Sequence, residues 1–278
     1  MRPQVGRIGI WVRQAGLSAD LAREVESMGY GAVWIGSSPG GDLRLVDELL
    51  SATESLVVAT GIVNIWADDA RTIATAHRRI TAAFPGRFLL GVGVGHPEAT
   101  SDYQRPYRNL VQYLDVLDAE GVPQDERALA ALGPKVLALA RDRSAGAHPY
   151  LTTPEHTRQA RELLGPGPLL APEQKIVVET DPDTARSLAR RAVAKPYLEL
   201  TNYLANLRRL GWSDDDFAAG GSDALIDALV GHGDAATAAA RVRQHLDSGA
   251  DHVAIQLVGA DGDDPIDGYR RLAEALTQ

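Results

Sequence analysis

The stretch Gly86-Arg-Phe-Leu-Leu-Gly-Val-Gly-Val-Gly-His-Pro-Glu98 is where this chain departs furthest from generic protein sequence. Phe88 to Val92 is a short apolar run of the kind that makes a strand buried on both faces. Gly91, Gly93 and Gly95 thin the backbone toward its carboxyl end, and His96-Pro97-Glu98 closes it with two titratable groups. The even glycine spacing does not match the dinucleotide fingerprint, which needs two residues before its third glycine and a helix opening at once. In a parallel barrel, carboxyl strand ends line the active site, and small residues there leave clearance for a planar ring. His96, placed at such an end, is a candidate proton carrier, because imidazole titrates near neutral pH.

Working outward, strand and helix patterns alternate. Arg7 to Val12, Ala32 to Ile35, Leu56 to Trp66, Phe88 to Val92, Arg127 to Ala131, Gly146 to Tyr150, Glu173 to Val178 and His252 to Val258 read as strands, the third interrupted by Gly61. Helix starts are marked by Ser18 as a cap and by Thr153-Pro-Glu-His156, a cap followed by proline at the first helical position. Arg71 to Phe84 carries Ile73, Ala76, His77, Ile80 and Phe84 on one stripe. The tract from about 181 to 249 reads as several helices without a strand, its Asp214-Asp215-Asp216 run suiting a helix entry. Eight βα units in one domain spanning 1–278, with a helical insertion between strands seven and eight, point to a (β/α)8 TIM-type barrel. A doubly wound open sheet is the rival.

The bulk properties bound the function. The chain has 278 residues, and a net charge of −9 speaks against nucleic-acid and anionic-membrane partners, which call for a basic face. With no cysteine, thiolate chemistry and sulfur-ligated metals are excluded. The amino terminus carries no apolar signal segment and no run is long enough to span a membrane, so a cytoplasmic location is expected. Histidines 77, 96, 148, 156 and 252 do not pair at one strand end as barrel metal sites require, and no metal is expected. His77 reads as a core residue and His156 as lying on the exterior. No nucleophile elbow, P-loop or zinc-protease helix is present.

Taken together, Ala59-Thr-Gly-Ile-Val-Asn-Ile-Trp66, Arg71-Thr-Ile-Ala-Thr-Ala-His77, the stretch from Gly86 to His96, and Ala131-Leu-Gly-Pro-Lys135 resemble the luciferase-like monooxygenase superfamily. The likeness runs over nearly the whole chain and is nearest to the actinobacterial coenzyme F420-dependent oxidoreductases. It implies a deazaflavin, F420, in the barrel mouth over the ends of strands three and four, with FMN as the alternative cofactor. Gly61, Ile62, Val63 and Asn64 would back the ring, with a non-prolyl cis peptide around Ile62 to Ile65, and Gly93 and Gly95 would lie beneath it. Ala131, Leu132 and Gly133 fall where relatives contact the cofactor side chain or phosphate, with Lys135, and then Arg71, to neutralise the anion. His96 falls where a sugar-phosphate dehydrogenase of the superfamily has a catalytic carboxylate. That enzyme's Asp-His pair after strand two is replaced here by Gly36-Ser37-Ser38, which argues against sugar-phosphate oxidation. Trp66 and Tyr150 would wall the pocket of a small-molecule substrate, and the insertion would cover the mouth and offer a homodimer surface. The alternatives are an FMN-dependent monooxygenase and a flavin-binding barrel without chemistry.

Overall fold

Each apolar run becomes a buried parallel strand in the computed structural model, which describes residues 1–96, 98, 104–260 and 264–277. Pro97 of the opening stretch lies outside the described residues. The strands are β1 (Ile8–Arg13), β2 (Ala32–Gly36), β3 (Val57–Thr60), β4 (Val63–Asn64), β5 (Phe88–Gly93), β6 (Arg127–Leu129), β7 (Gly146–Ala147), β8 (Leu169–Leu170), β9 (Glu173–Val178), β10 (Val230–Gly233) and β11 (Val253–Leu257). The long third strand expected from sequence is split into β3 and β4 at Gly61–Ile62, whose peptide bond is cis, at the edge of the expected span.

The ring runs β11, β1, β2, β3, β5, β6, β7, β8, all parallel, with β4 also on β5. It closes because β8 and β9 are two halves of one passage around Pro172. On one side Leu169 N and Ala171 N bond the carbonyls of Ala145 and Ala147 at 2.7 and 2.9 Å. On the other, Asp251 N and Ala254 N bond the carbonyls of Leu170 and Pro172, both at 2.9 Å. The seventh barrel strand therefore begins at Leu169, ahead of the expected Glu173; Pro172, which cannot donate to the ladder, hides the continuity in sequence.

The insertion is not wholly helical, which corrects the sequence reading. Val230–Gly233 pairs with β9 from Val230↔Lys175 to Gly233↔Val178. Val-Gly-His-Gly has one branched apolar side chain and no period to read, so its strand character comes from the open edge of β9 rather than from its own sequence.

The helices are α1 (Ala19–Ser27), α2 (Arg44–Ser51), α3 (Ala70–Ala83), α4 (Pro106–Ala119), α5 (Pro134–Arg143), α6 (Pro154–Leu164), α7 (Pro182–Ala194), α8 (Thr201–Arg209), α9 (Asp214–Phe217), α10 (Asp223–Leu229), α11 (Ala235–Asp247) and α12 (Pro265–Thr277). Ser18 and Thr153 cap as read, accepting from Leu21 N and His156 N, and the acidic run opens α9 through a Ser213–Asp216 capping box.

Three clusters of buried side chains follow. The largest joins the outward strand faces to the helices; a second belongs to the insertion, with Val193, Leu207, Leu225 and Leu229; the third, including Trp11, Trp34, Ala59, Leu89 and Ala171, fills the barrel interior. Each fully buried large apolar side chain contributes about 1.5–3 kcal/mol. Trp34 stacks on His148 with ring centroids 4.0 Å apart and donates its indole N–H to Nε2 of His252 at 3.0 Å.

Candidate functional site

The carboxyl ends of the strands form a mouth, into which β5 leads through Val94, Gly95 and His96. Gly91 and Gly93 within β5, and Gly95 just beyond it, make room for the chain itself. A Cβ on Gly91 would fall 1.8 Å from Thr60 O; one on Gly93 would meet Ala130 and Ile62 at 2.9 Å, and one on Gly95 would meet Asn64 Nδ2 at 2.8 Å. This corrects the expectation of clearance beneath a planar ring: the β3–β4 crossing occupies that space. Gly93 is buried, whereas Gly61, Ile62, Asn64, Gly95 and His96 are half-buried along the rim and Val63 is in the core.

Beyond β5, His96 and Glu98 are met by three consecutive residues of the insertion. Glu98 Oε1 accepts from Thr201 N at 3.0 Å and from Thr201 Oγ1 at 2.9 Å, capping the first turn of α8. The Asn202 carboxamide lies against the His96 imidazole, and the Tyr203 ring packs 5.4 Å from it, centroid to centroid. Burial holds the His96 pKa below its ordinary value, opposed by Asn202 and by the Glu98 charge. His96 is therefore neutral at pH 7 and able to take a proton.

The opposite side of the mouth is filled. Lys175 and Glu173 are fully buried, 3.1 Å apart, and the Lys175 ammonium also donates to Tyr150 Oη at 2.8 Å and Gln256 Oε1 at 3.0 Å. Tyr150 donates to Gln256 Oε1 and receives the Tyr197 hydroxyl. Burial pushes the Glu173 carboxyl up and the Lys175 amine down, each opposed by the other's charge. Tyr150, half-buried, packs on Trp11 with ring centroids 5.0 Å apart.

At the start of α5, Leu132 and Gly133 are half-buried and Lys135 is exposed, while Ala131 belongs to the core and can offer only its backbone. The Arg209 guanidinium, from the end of α8, lies 3.4 Å from where a Gly133 Cβ would be and bonds Asn206 Oδ1 at 2.9 Å; it has no acidic partner among the described residues. Two expected residues lie elsewhere. Arg71 is paired with Glu120 at 2.6 Å, and Trp66 lines an outer cavity of about 410 Å³ between α3 and α4, with its indole N–H on Val94 O. His156, expected outside, is buried with Nε2 on Leu132 O at 2.9 Å, because α6 folds its first turn onto the α5 entry. His77 is in the core, with Nε2 3.3 Å from Glu126.

Among the described residues, buried side-chain atoms without a hydrogen-bond partner gather at this end of the barrel. They are Trp11 Nε1, His96 Nδ1, His148 Nε2, Thr152 Oγ1, His156 Nδ1, Asn202 Oδ1 and Asn206 Nδ2; Nε2 of His77 and Nη1 of Arg127 lie elsewhere. Each such atom costs about 1–3 kcal/mol unless something meets it, so their concentration marks a place built to receive polar groups. Arg209, Asn202 and Asn206 were not legible in sequence, since only the docking of α8 brings them to the mouth.

Comparison with known proteins bears on the fold. Residues 16–122 match the sequence model of the family described as luciferase-like monooxygenase. No curated protein matches the chain. Similar solved structures include an F420-dependent secondary alcohol dehydrogenase in complex with an F420–acetone adduct, at 15% identity and TM-score 0.75, covering 99% of both chains. The coenzyme F420-dependent tetrahydromethanopterin reductase from Methanopyrus kandleri is similar at 14% identity and TM-score 0.70, with 98% of each chain covered. The oxygenating constituent of 3,6-diketocamphane monooxygenase from the CAM plasmid of Pseudomonas putida, in complex with FMN, is similar at 15% identity and TM-score 0.69, with 98% of each chain covered.

Proposed function

We propose that this luciferase-like barrel is an F420-dependent oxidoreductase acting on a small organic substrate. The observation that carries the reading is the gathering of unpartnered polar atoms at the mouth, beside a cationic α5 entry. The residues fit a phosphorylated ring cofactor: Gly61, Ile62, Asn64 and Gly95 offer a half-buried rim for the ring, and the α5 entry with Lys135 and Arg209 offers positive potential for the anion. Lys135 is a solvated charge and Arg209 a planar donor against the helix start, which makes Arg209 the stronger phosphate partner. Bound there, F420 would supply hydride transfer at its C5.

The chain's own residues do the rest. His96, neutral and half-buried, takes or returns one proton. Tyr197 and Tyr203, packed 5.2 Å apart, bring the insertion over the mouth and keep water out. Tyr150, fixed by Lys175 and Gln256, gives the substrate a rigid wall. The test is to follow F420H2 absorbance with a panel of unsaturated carbonyl compounds, for wild type and His96→Ala. Turnover that His96→Ala slows with an altered pH profile supports the reading; an unchanged rate at every pH removes His96 from it.

A further inference from the structure

The His96 imidazole meets the inserted helix α8 at Asn202 and Tyr203. Nδ1 of His96 and Oδ1 of Asn202 are both buried, and neither has a hydrogen-bond partner among the described residues. They are chemically complementary: Oδ1 is an obligate acceptor, and Nδ1 is a donor in one of the two neutral tautomers. The backbone around them is held on both sides. Glu98 accepts from the amide and hydroxyl of Thr201, and the Tyr203 ring packs tilted against the imidazole at 5.4 Å. Thr201, Asn202 and Tyr203 thus meet Glu98 and His96 as a unit, with Asn202 in the middle. We propose that Asn202 is the positioning residue for His96: its Oδ1 accepts a hydrogen bond from Nδ1–H, directly or through one water, and so keeps the proton on Nδ1 and the lone pair on Nε2 for exchange with a substrate. The proposal rests on the proton-carrying role given to His96 above.

The same contact explains why an asparagine suits this position. Aspartate would fix the same tautomer but add a second carboxylate beside Glu98, holding the imidazolium and blunting its use as a base near neutral pH. Among the described residues, the groups acting on His96 are Glu98, two positions on, and Asn202 with the uncharged Tyr203 on α8; burial acts against both polar influences.

The experiment is NMR titration of the His96 ring in the protein without added cofactor, assigned by loss of its signals in His96→Gln, for wild type, Asn202→Ala and Asn202→Asp. Nitrogen shifts report the tautomer. The expected result is an Nδ1–H form in wild type, a mixed tautomer and lower midpoint in Asn202→Ala, and a midpoint raised by about one unit or more in Asn202→Asp. Equal midpoints and tautomers in all three proteins overturn the assignment. Because no cofactor is present, a protein that fails to bind F420 leaves this result standing, and a negative titration leaves the cofactor reading to its own test.

Discussion

The His96 imidazole sits 5.4 Å from the Tyr203 ring at an interplanar angle of 47°. One residue follows a central barrel strand by three positions, and the other belongs to an insertion more than a hundred positions later. The site is therefore assembled between two parts of the chain with separate apolar clusters, and neither half holds His96 alone.

Gly36 has no side chain because Trp11 lies across it: a Cβ there would stand 2.2 Å from Cζ2 of the indole. Gly36→Ala should cost about 1–3 kcal/mol by overpacking. Trp11→Phe in the same protein should recover part of that loss. Urea unfolding of the two single variants and the double variant checks the coupling; additive losses would contradict it.

Removing one member of the buried Lys175–Glu173 pair strands the other's charge. Lys175→Met should lose about 3–5 kcal/mol, and adding Glu173→Gln should restore part of it. The measured quantity is again the urea midpoint, and a double variant as damaged as the sum of the singles would contradict the pairing.

His148 and His252 are buried with pKa values near 4, and His245 near 3, all lowered mainly by burial. Unfolded, they would titrate near 6.5, so between these values the unfolded chain binds more protons and stability rises with pH. Stability contributed by neutral burial is fully present above about pH 6.5 and falls on acidification, each group contributing on the order of 1 kcal/mol per pH unit. Thermal midpoints at pH 7 and pH 5 check this; equal midpoints would contradict it.

Arg209 should act on anion affinity and not on folding, since it is exposed and makes no ion pair among the described residues. Arg209→Ala should weaken binding of the phosphorylated cofactor about tenfold or more, with an unchanged thermal midpoint of the free protein. The loss should shrink as salt rises. Isothermal titration of both proteins at two salt concentrations measures it, and equal affinities would contradict the placement.

The barrel was largely legible because its signals are local. Apolar runs such as Phe88 to Val92 and caps at Ser18 and Thr153 declare themselves within a few residues. Val230–Gly233 did not, because its strand state is imposed by the edge of β9. The glycines after Phe88 were legible as a site of close approach, but not what approaches: Thr60 O, Ile62, Ala130 and Asn64 come from the β3–β4 break and from β6, which no spacing within the stretch encodes. Asn202, Asn206 and Arg209 were silent for the same reason, being ordinary helix residues until α8 docks. Trp66 misled because a tryptophan at a strand end suits a pocket wall, and here it faces the groove outside the barrel.

Cofactor identity is read by equilibrium binding: the purified protein is titrated separately with F420 and with FMN while the ligand's absorbance and fluorescence are followed. F420 should bind saturably, more weakly in Arg209→Ala, and FMN should show no saturable binding. Binding of FMN alone, or of neither, would contradict the F420 reading.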